Sequence, residues 1–234
     1  MTGRIVNYAA MLLLVHALVG CSDPAPQPTT GQGEGNAAVG ADVTVPTADA
    51  RLVVVFGDSL YAGYGLEQNK GFAPALERAL RRGGIAATVH NAGVSGDTSA
   101  MGRDRLAFAL DGLPRTPDLV LVGLGGNDML RGLDPADTRA NLDAILTELH
   151  KRGIDAVLTG MLASRNMGVD YAKAFDTIYP QLAAKFDVPL YPFFLDGVIG
   201  HADLMLPDGI HPNDRGVEVI AAKVAPVVEA RLAD

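Results

Sequence analysis

Four short blocks carry residue types suited to nucleophilic catalysis: Gly57-Asp58-Ser59-Leu60, Ser95-Gly96-Asp97-Thr98, Gly125-Gly126-Asn127-Asp128 and Asp208-Gly209-Ile210-His211-Pro212. A neutral Ser59 hydroxyl attacks poorly unless a base takes its proton. His211 is such a base, and Asp208, three residues earlier, is placed to orient the imidazole. The amide of Gly96 and the side-chain amide of Asn127 can donate to an oxyanion that develops during acyl transfer. Each block also has a plainer reading. Ser59 could cap a helix, Gly96 could serve a positive φ, Asn127 could fix a turn, and Asp208 to His211 could be a loop entering a helix. Asp58, Asp97 and Asp128 read as turn and cap residues rather than acids. His90 and His150 have no Asp three residues before them, and the Asp near His201 follows it. The joint occurrence of all four blocks favours the catalytic reading.

The blocks need elements that bring them together. Leu52 to Phe56 and Leu119 to Leu124 are apolar runs without alternation, as expected of central parallel strands covered on both faces. Weaker strand signals lie at Ala87 to His90, Ala156 to Thr159 and Val188 to Tyr191, the last pushed towards a sheet edge by Pro189. Helical patterns span about Gly71 to Arg82, Thr98 to Leu110, Pro135 to Lys151, Tyr171 to Phe186 and Arg215 to Leu232. This alternation predicts βαβ units and a three-layer α/β/α domain. The first three blocks then follow the first three strands, at carboxyl ends where a crevice opens. Asp208 and His211 precede the last helix.

The 234 residues are 48% hydrophobic and 20% charged, an ordinary globular balance. A net charge of -8 without a basic cluster disfavours nucleic acid as a partner. One cysteine and five scattered histidines offer neither a disulfide framework nor a metal site, and the chemistry above needs no cofactor. Residues 1 to 21 read as a secretory signal: Arg4, then an apolar stretch from Tyr8 to Gly20, too short for a bilayer-spanning helix. Leu18-Val19-Gly20-Cys21 resembles a bacterial lipobox, whose cysteine is lipidated; a plain signal peptide or an uncleaved anchor are the alternatives. Residues 22 to 49 are rich in Pro, Gly, Thr and Ala, a flexible tether with a reach of about 30 Å. Residues 50 to 234 form the catalytic domain. Ser22 after the cysteine points to the outer membrane, so the expected location is the periplasmic side of a bacterial envelope, with a lipid anchor at Cys21.

From Leu52 to the last helix the chain resembles the SGNH, or GDSL, hydrolases, and among them the bacterial periplasmic acyl-CoA thioesterase, lysophospholipase and arylesterase type. The blocks above carry the resemblance, extended by Val94 before Ser95, Ser99 after Thr98, Leu124 before Gly125, and Phe186-Asp187-Val188-Pro189-Leu190. It implies a flavodoxin-like sheet of five parallel strands, with Ser59 as nucleophile, His211 as base and Asp208 as its partner. It also implies an oxyanion hole from the backbone amides of Ser59 and Gly96 and the Asn127 side chain. The implied substrates are small acyl esters, thioesters or lysophospholipids. A carbohydrate O-acetyl esterase and a catalytically silent lipid- or glycan-binding lipoprotein are the alternatives. The chain departs from the resemblance at Met161 to Gly168, which lacks the Pro and aromatic residues of the thioesterase relatives. Met129, Leu130, Leu133, Met161, Leu162 and Met167 supply apolar side chains near the site, fit either for an acyl chain or for ordinary core.

Overall fold

A computed structural model describes residues 50–233. The signal, the lipobox with Cys21 and the tether read at residues 1 to 49 lie outside the described residues. Five strands form one parallel sheet in the order β2-β1-β3-β4-β5: β1 (Arg51–Gly57), β2 (Ala87–Asn91), β3 (Leu119–Gly123), β4 (Asp155–Thr159) and β5 (Leu190–Tyr191). The weak strand signal near Pro189 is indeed an edge, shortened to two residues. Pro189 lacks an N–H for the ladder.

The uninterrupted apolar runs have the expected cause. Val53 and Val55 of β1, with Leu119 and Leu121 of β3, enter one buried cluster, which α2 (Phe72–Arg82) and α8 (Asp214–Ala233) close. Their neighbours Val54, Phe56, Val120 and Val122 enter a second cluster on the opposite face, covered by α3 (Ser99–Asp111), α5 (Pro135–Lys151) and α7 (Ile178–Phe186). Successive side chains of a strand point to opposite faces, so a strand covered twice must be apolar at every position.

The single helix expected from Tyr171 to Phe186 is two: α6 (Val169–Asp176) and α7, with Thr177 between them. Pro180 explains the break. In a continuous helix its ring would collide with the carbonyl of Asp176, whereas in the first turn of a new helix its missing N–H costs nothing. The break leaves Asp176 at a helix end, where its carboxylate accepts from the Ala163 N–H at 2.7 Å and ties down the loop after β4.

After β1 the chain turns one way to β2 and later the other way to β3, so the connections diverge between the carboxyl ends of β1 and β3. Such a switch point opens a crevice. Here the register pairs Gly57 with Gly123. The ring of Tyr61, from the short helix α1 (Ser59–Ala62), lies across both: a Cβ at Gly57 would come 2.3 Å from Tyr61 Cδ2, and one at Gly123 would come 2.0 Å from Tyr61 Oη. Tyr61 is fully buried, hydrogen-bonded to Thr159 of β4 and packed between Phe72 and Phe194. The seat of α1 therefore depends on bare backbone at two strand ends.

Gly123→Ala should overpack this seat and cost about 1–3 kcal/mol. Urea unfolding should show a lower midpoint with an unchanged slope, and a midpoint equal to wild type would mean that Tyr61 relocates freely.

Candidate active site

Asp58 separates β1 from α1, and its carboxylate accepts from the Leu60 N–H at 3.0 Å, capping the helix. The cap reading considered for Ser59 is thus taken by its neighbour. Ser59 is the first helical residue, and its Oγ lies 2.8 Å from His211 Nε2. On the other side of the ring, His211 Nδ1 lies 2.7 Å from Asp208 Oδ2. Residues 152 positions apart in sequence are so joined in one line, Ser59 to His211 to Asp208.

The Asp208 loop is built locally. Gly209 takes φ +67°, and the second oxygen of Asp208 accepts from the N–H groups of Ile210 at 2.9 Å and His211 at 3.0 Å. These bonds, that from the His211 N–H foremost and then the contact with the imidazole, hold the Asp208 carboxyl down at about 2. An ionised carboxylate can only accept, so Nδ1 carries the imidazole proton and Nε2 is left to accept from the Ser59 hydroxyl. The loop is fastened below by the Leu206 N–H, which donates to the His211 carbonyl at 2.7 Å, and by a bridge between Met205 and Pro212.

The donors face the same crevice. Gly96, at φ +87°, and Asn127, in α4 (Gly126–Leu130), line it together with Ser59. Gly96 does use the positive φ that a plain turn would require. The Asn127 amide donates to the Asp97 carbonyl at 3.0 Å and lies 3.4 Å from Asp58 Oδ2. Among the described residues, the backbone N–H groups of Ser59 and Gly96 donate to no protein acceptor.

The three acids of the motifs behave differently from one another. Asp58 is a cap, as expected. Asp128 also caps, but from a distance: buried, it accepts from the Ser99 N–H at 2.8 Å and the Ser99 hydroxyl at the start of α3, and from the Thr138 hydroxyl at 3.2 Å. Asp97 corrects the expectation. It neither caps nor closes its turn through its side chain, because Thr98 caps α3, and it forms an ion pair with Arg105 at 2.5 Å. Arg105 reaches on to the Gly57 carbonyl at 3.0 Å and lies over the Phe56 ring, so the pair ties the second block to the end of β1.

The crevice has a volume of about 780 Å3 and a mostly apolar wall. Met129, Leu130, Met161 and Leu162 line it, as the sequence suggested. Leu133 and Met167 do not: Met167 packs against the second core cluster, and Leu133 points to solvent. Several wall residues escaped sequence reasoning, notably Tyr64, Phe193, Ile199 and Ile210. Phe193 and Ile199 stand in the connection from β5 to α8, which has no periodic pattern to mark it. Tyr64 did carry a signal, as an aromatic residue between two glycines shortly after the serine. The aromatic groups missing from Met161 to Gly168 are thus supplied by other loops.

Asp58 is only 4% exposed, and burial pushes its carboxyl up to about 6, against the opposing pull of the Leu60 N–H and nearby His211. The folded chain therefore binds this proton more tightly than the unfolded chain, whose carboxyl sits near 3.8. The resulting stabilisation is complete below about pH 3.8 and is lost as pH rises through about 6. Asp58→Asn keeps an acceptor for Leu60 without the charge, and should raise stability at pH 8 by up to about 3 kcal/mol while changing it little at pH 4. Urea unfolding of both proteins at the two pH values measures this, and an equal difference at both would mean that Asp58 does not titrate between them.

Comparison with known proteins agrees with the geometry. Residues 55–219 match the model of the GDSL-like Lipase/Acylhydrolase family. Esterase TesA of Pseudomonas aeruginosa is 40% identical over 165 residues, 70% of this chain and 81% of that protein. Thioesterase 1/protease 1/lysophospholipase L1 of Escherichia coli K12 is 39% identical over 171 residues, 73% of this chain and 80% of that protein. Among solved structures, AlinE4, an SGNH-hydrolase family esterase, superposes with a TM-score of 0.68 at 48% identity, covering 79% of this chain and 97% of that one. Likeness of this extent, together with a serine, a histidine and an aspartate in line at the crevice, means that the chain belongs to the GDSL, or SGNH, hydrolase family and is a serine esterase.

Proposed function

We propose that the chain hydrolyses acyl esters and thioesters through an acyl-Ser59 intermediate, with His211 as general base and acid and Asp208 as its orienting partner. The observation that carries this reading is the unbroken line Ser59 Oγ to His211 Nε2 at 2.8 Å and His211 Nδ1 to Asp208 at 2.7 Å. As Ser59 Oγ bonds to the substrate carbonyl carbon, its proton passes to Nε2, and the carbonyl electron pair moves onto oxygen. That oxyanion takes hydrogen bonds from the amides of Ser59, Gly96 and Asn127. The tetrahedral species then expels the alcohol or thiol, which leaves with the proton from Nε2. Water repeats the sequence on the acyl-enzyme: His211 takes its proton, a second tetrahedral oxyanion forms, and Ser59 leaves with the proton as the acid is released. Asp208, ionised far below neutral pH, favours the imidazolium at each stage.

A mostly apolar wall and a volume of about 780 Å3 suit an acyl chain better than an acetyl group on a sugar, and so favour lipid-like esters, including lysophospholipids. Ser59→Ala should abolish both turnover of p-nitrophenyl butyrate and labelling by a fluorophosphonate, in a protein that still folds. Asn127→Ala should lower kcat by about 10²–10³ with a smaller change in KM, since its amide pairs with charge present only in the transition state. Persistent labelling of the Ser59→Ala protein would overturn the assignment of the nucleophile.

The domain division is part of the same proposal: a signal at residues 1 to 21 ending in a lipobox, a tether at 22 to 49, and the catalytic domain from 50. Its support is the composition shift and the run Leu18-Val19-Gly20-Cys21. Among the described residues no helix is long and apolar enough to cross a membrane. The enzyme would be held at the outer membrane of a bacterial envelope by lipid on Cys21. Cys21→Ser should shift the protein from the detergent-rich to the aqueous phase and end its labelling by fatty acid. A wild-type protein that is already wholly aqueous and unlabelled would remove the anchor.

A further inference from the structure

Tyr64 takes no part in the steps above, yet its ring lies against the imidazole of His211, with centroids 4.4 Å apart and planes tilted by 33°. The backbone is bent to put it there. Gly63 and Gly65, on either side, take φ +80° and +72°, a conformation that costs a residue with a Cβ. The Tyr64 N–H donates to the Ser59 carbonyl at 3.1 Å, so the turn is tied to the serine. A Cβ at Gly65 would come 2.8 Å from Leu206 Cδ1, and the Leu206 N–H in turn holds the His211 carbonyl. The turn leaving α1 thus rests on the histidine loop at two points, through Tyr64 on His211 and through Gly65 on Leu206.

The support has a physical use. Asp208 stands on an exposed loop, and of its two bonds to His211 one takes the backbone N–H and the other meets the ring at Nδ1, in its edge, so neither braces a ring face. An aromatic face carries partial negative charge and attracts a cation, such as the imidazolium that the proposed reaction forms when Ser59 gives up its proton.

We propose that Tyr64 is a positioning residue for His211, its ring bracing the imidazole towards Ser59 and stabilising the imidazolium formed during acyl transfer. This rests on the reading of His211 as the base. The titratable and charged groups that face His211 are Asp208 on its own loop, Asp58 and Ser59 at the start of α1, and Tyr64 on the following turn. Substitution at position 64 leaves Asp208, Asp58 and Ser59 in place.

The test compares kcat and KM for wild type, Tyr64→Phe, Tyr64→Leu and Tyr64→Met with p-nitrophenyl butyrate. The two non-aromatic variants should lose about threefold to tenfold in kcat with little change in KM. Tyr64→Phe should restore the wild-type kcat. A wild-type kcat in whichever non-aromatic variant folds would overturn the proposal. So would a rise in KM alone that grows with acyl-chain length, which would make Tyr64 a wall of the crevice. His211→Ala separates the two readings: turnover retained there would remove His211 as base, whereas loss there with unchanged Tyr64→Leu would remove only the role of Tyr64.

Discussion

The close approach of Tyr61 to the backbone of Gly57 and Gly123 is the contact on which the rest of the site depends. A parallel sheet ends in unpaired polar backbone, and a helix begins in unpaired N–H groups, so joining the two within two residues requires tight packing at the junction. Tyr61 provides it by lying flat across two strand ends that have no side chains there. Its aromatic neighbours Phe72 and Phe194 come from segments far apart in sequence and join the first core cluster beside it. Ser59 looks outward into the crevice, towards His211.

Around that junction the polar groups divide by burial. Asp58, Asp97 and Asp128 are buried at or beside the crevice, and each is matched to donors: the Leu60 N–H of α1, the Arg105 guanidinium of α3, and the Ser99 and Thr138 groups of α3 and α5. They join the loops after β1, β2 and β3 into one network, which holds the Gly96 and Asn127 donors against Ser59. Asp58 is matched least well, since burial outweighs the Leu60 N–H and the long contact with the Asn127 amide and raises its carboxyl to about 6. Asp208 is the opposite case. It is exposed, but three hydrogen bonds keep it ionised, so the acid that must stay charged is the one that water can reach.

The arrangement also accounts for the wall of the crevice. The loops after β3 and β4, together with the connection from β5 to α8, line the crevice with flexible or branched apolar side chains, and two of these segments also carry Asn127 and His211. The loop after β4 has no regular structure beyond a short 3-10 turn at Arg165–Met167, and the bond from Ala163 to Asp176 gives it a fixed point. Asp176 stands at the end of α6, where Pro180 of α7 breaks the helix.

The chemistry and the layers were legible in the chain alone. Ser59, Gly96 and Asn127 could be picked out from residue types at strand ends, and Asp208 and His211 from their spacing before the last helix, because the acyl transfer proposed here needs a nucleophile, a base and donors whatever the fold. The runs Leu52 to Phe56 and Leu119 to Leu124 declared buried parallel strands, because only burial on both faces removes alternation. What the chain left open was every choice that depends on contacts between distant segments. Whether Ser59 or Asp58 capped the helix, whether Asp97 was a turn residue or half of an ion pair, and whether Met167 faced the crevice or the core were decided by partners many residues away. Tyr64, Phe193 and Ile199 reached the site for the same reason: they lie in irregular segments, where no period announces a buried or facing side, and only the packing of one loop on another gives them a direction.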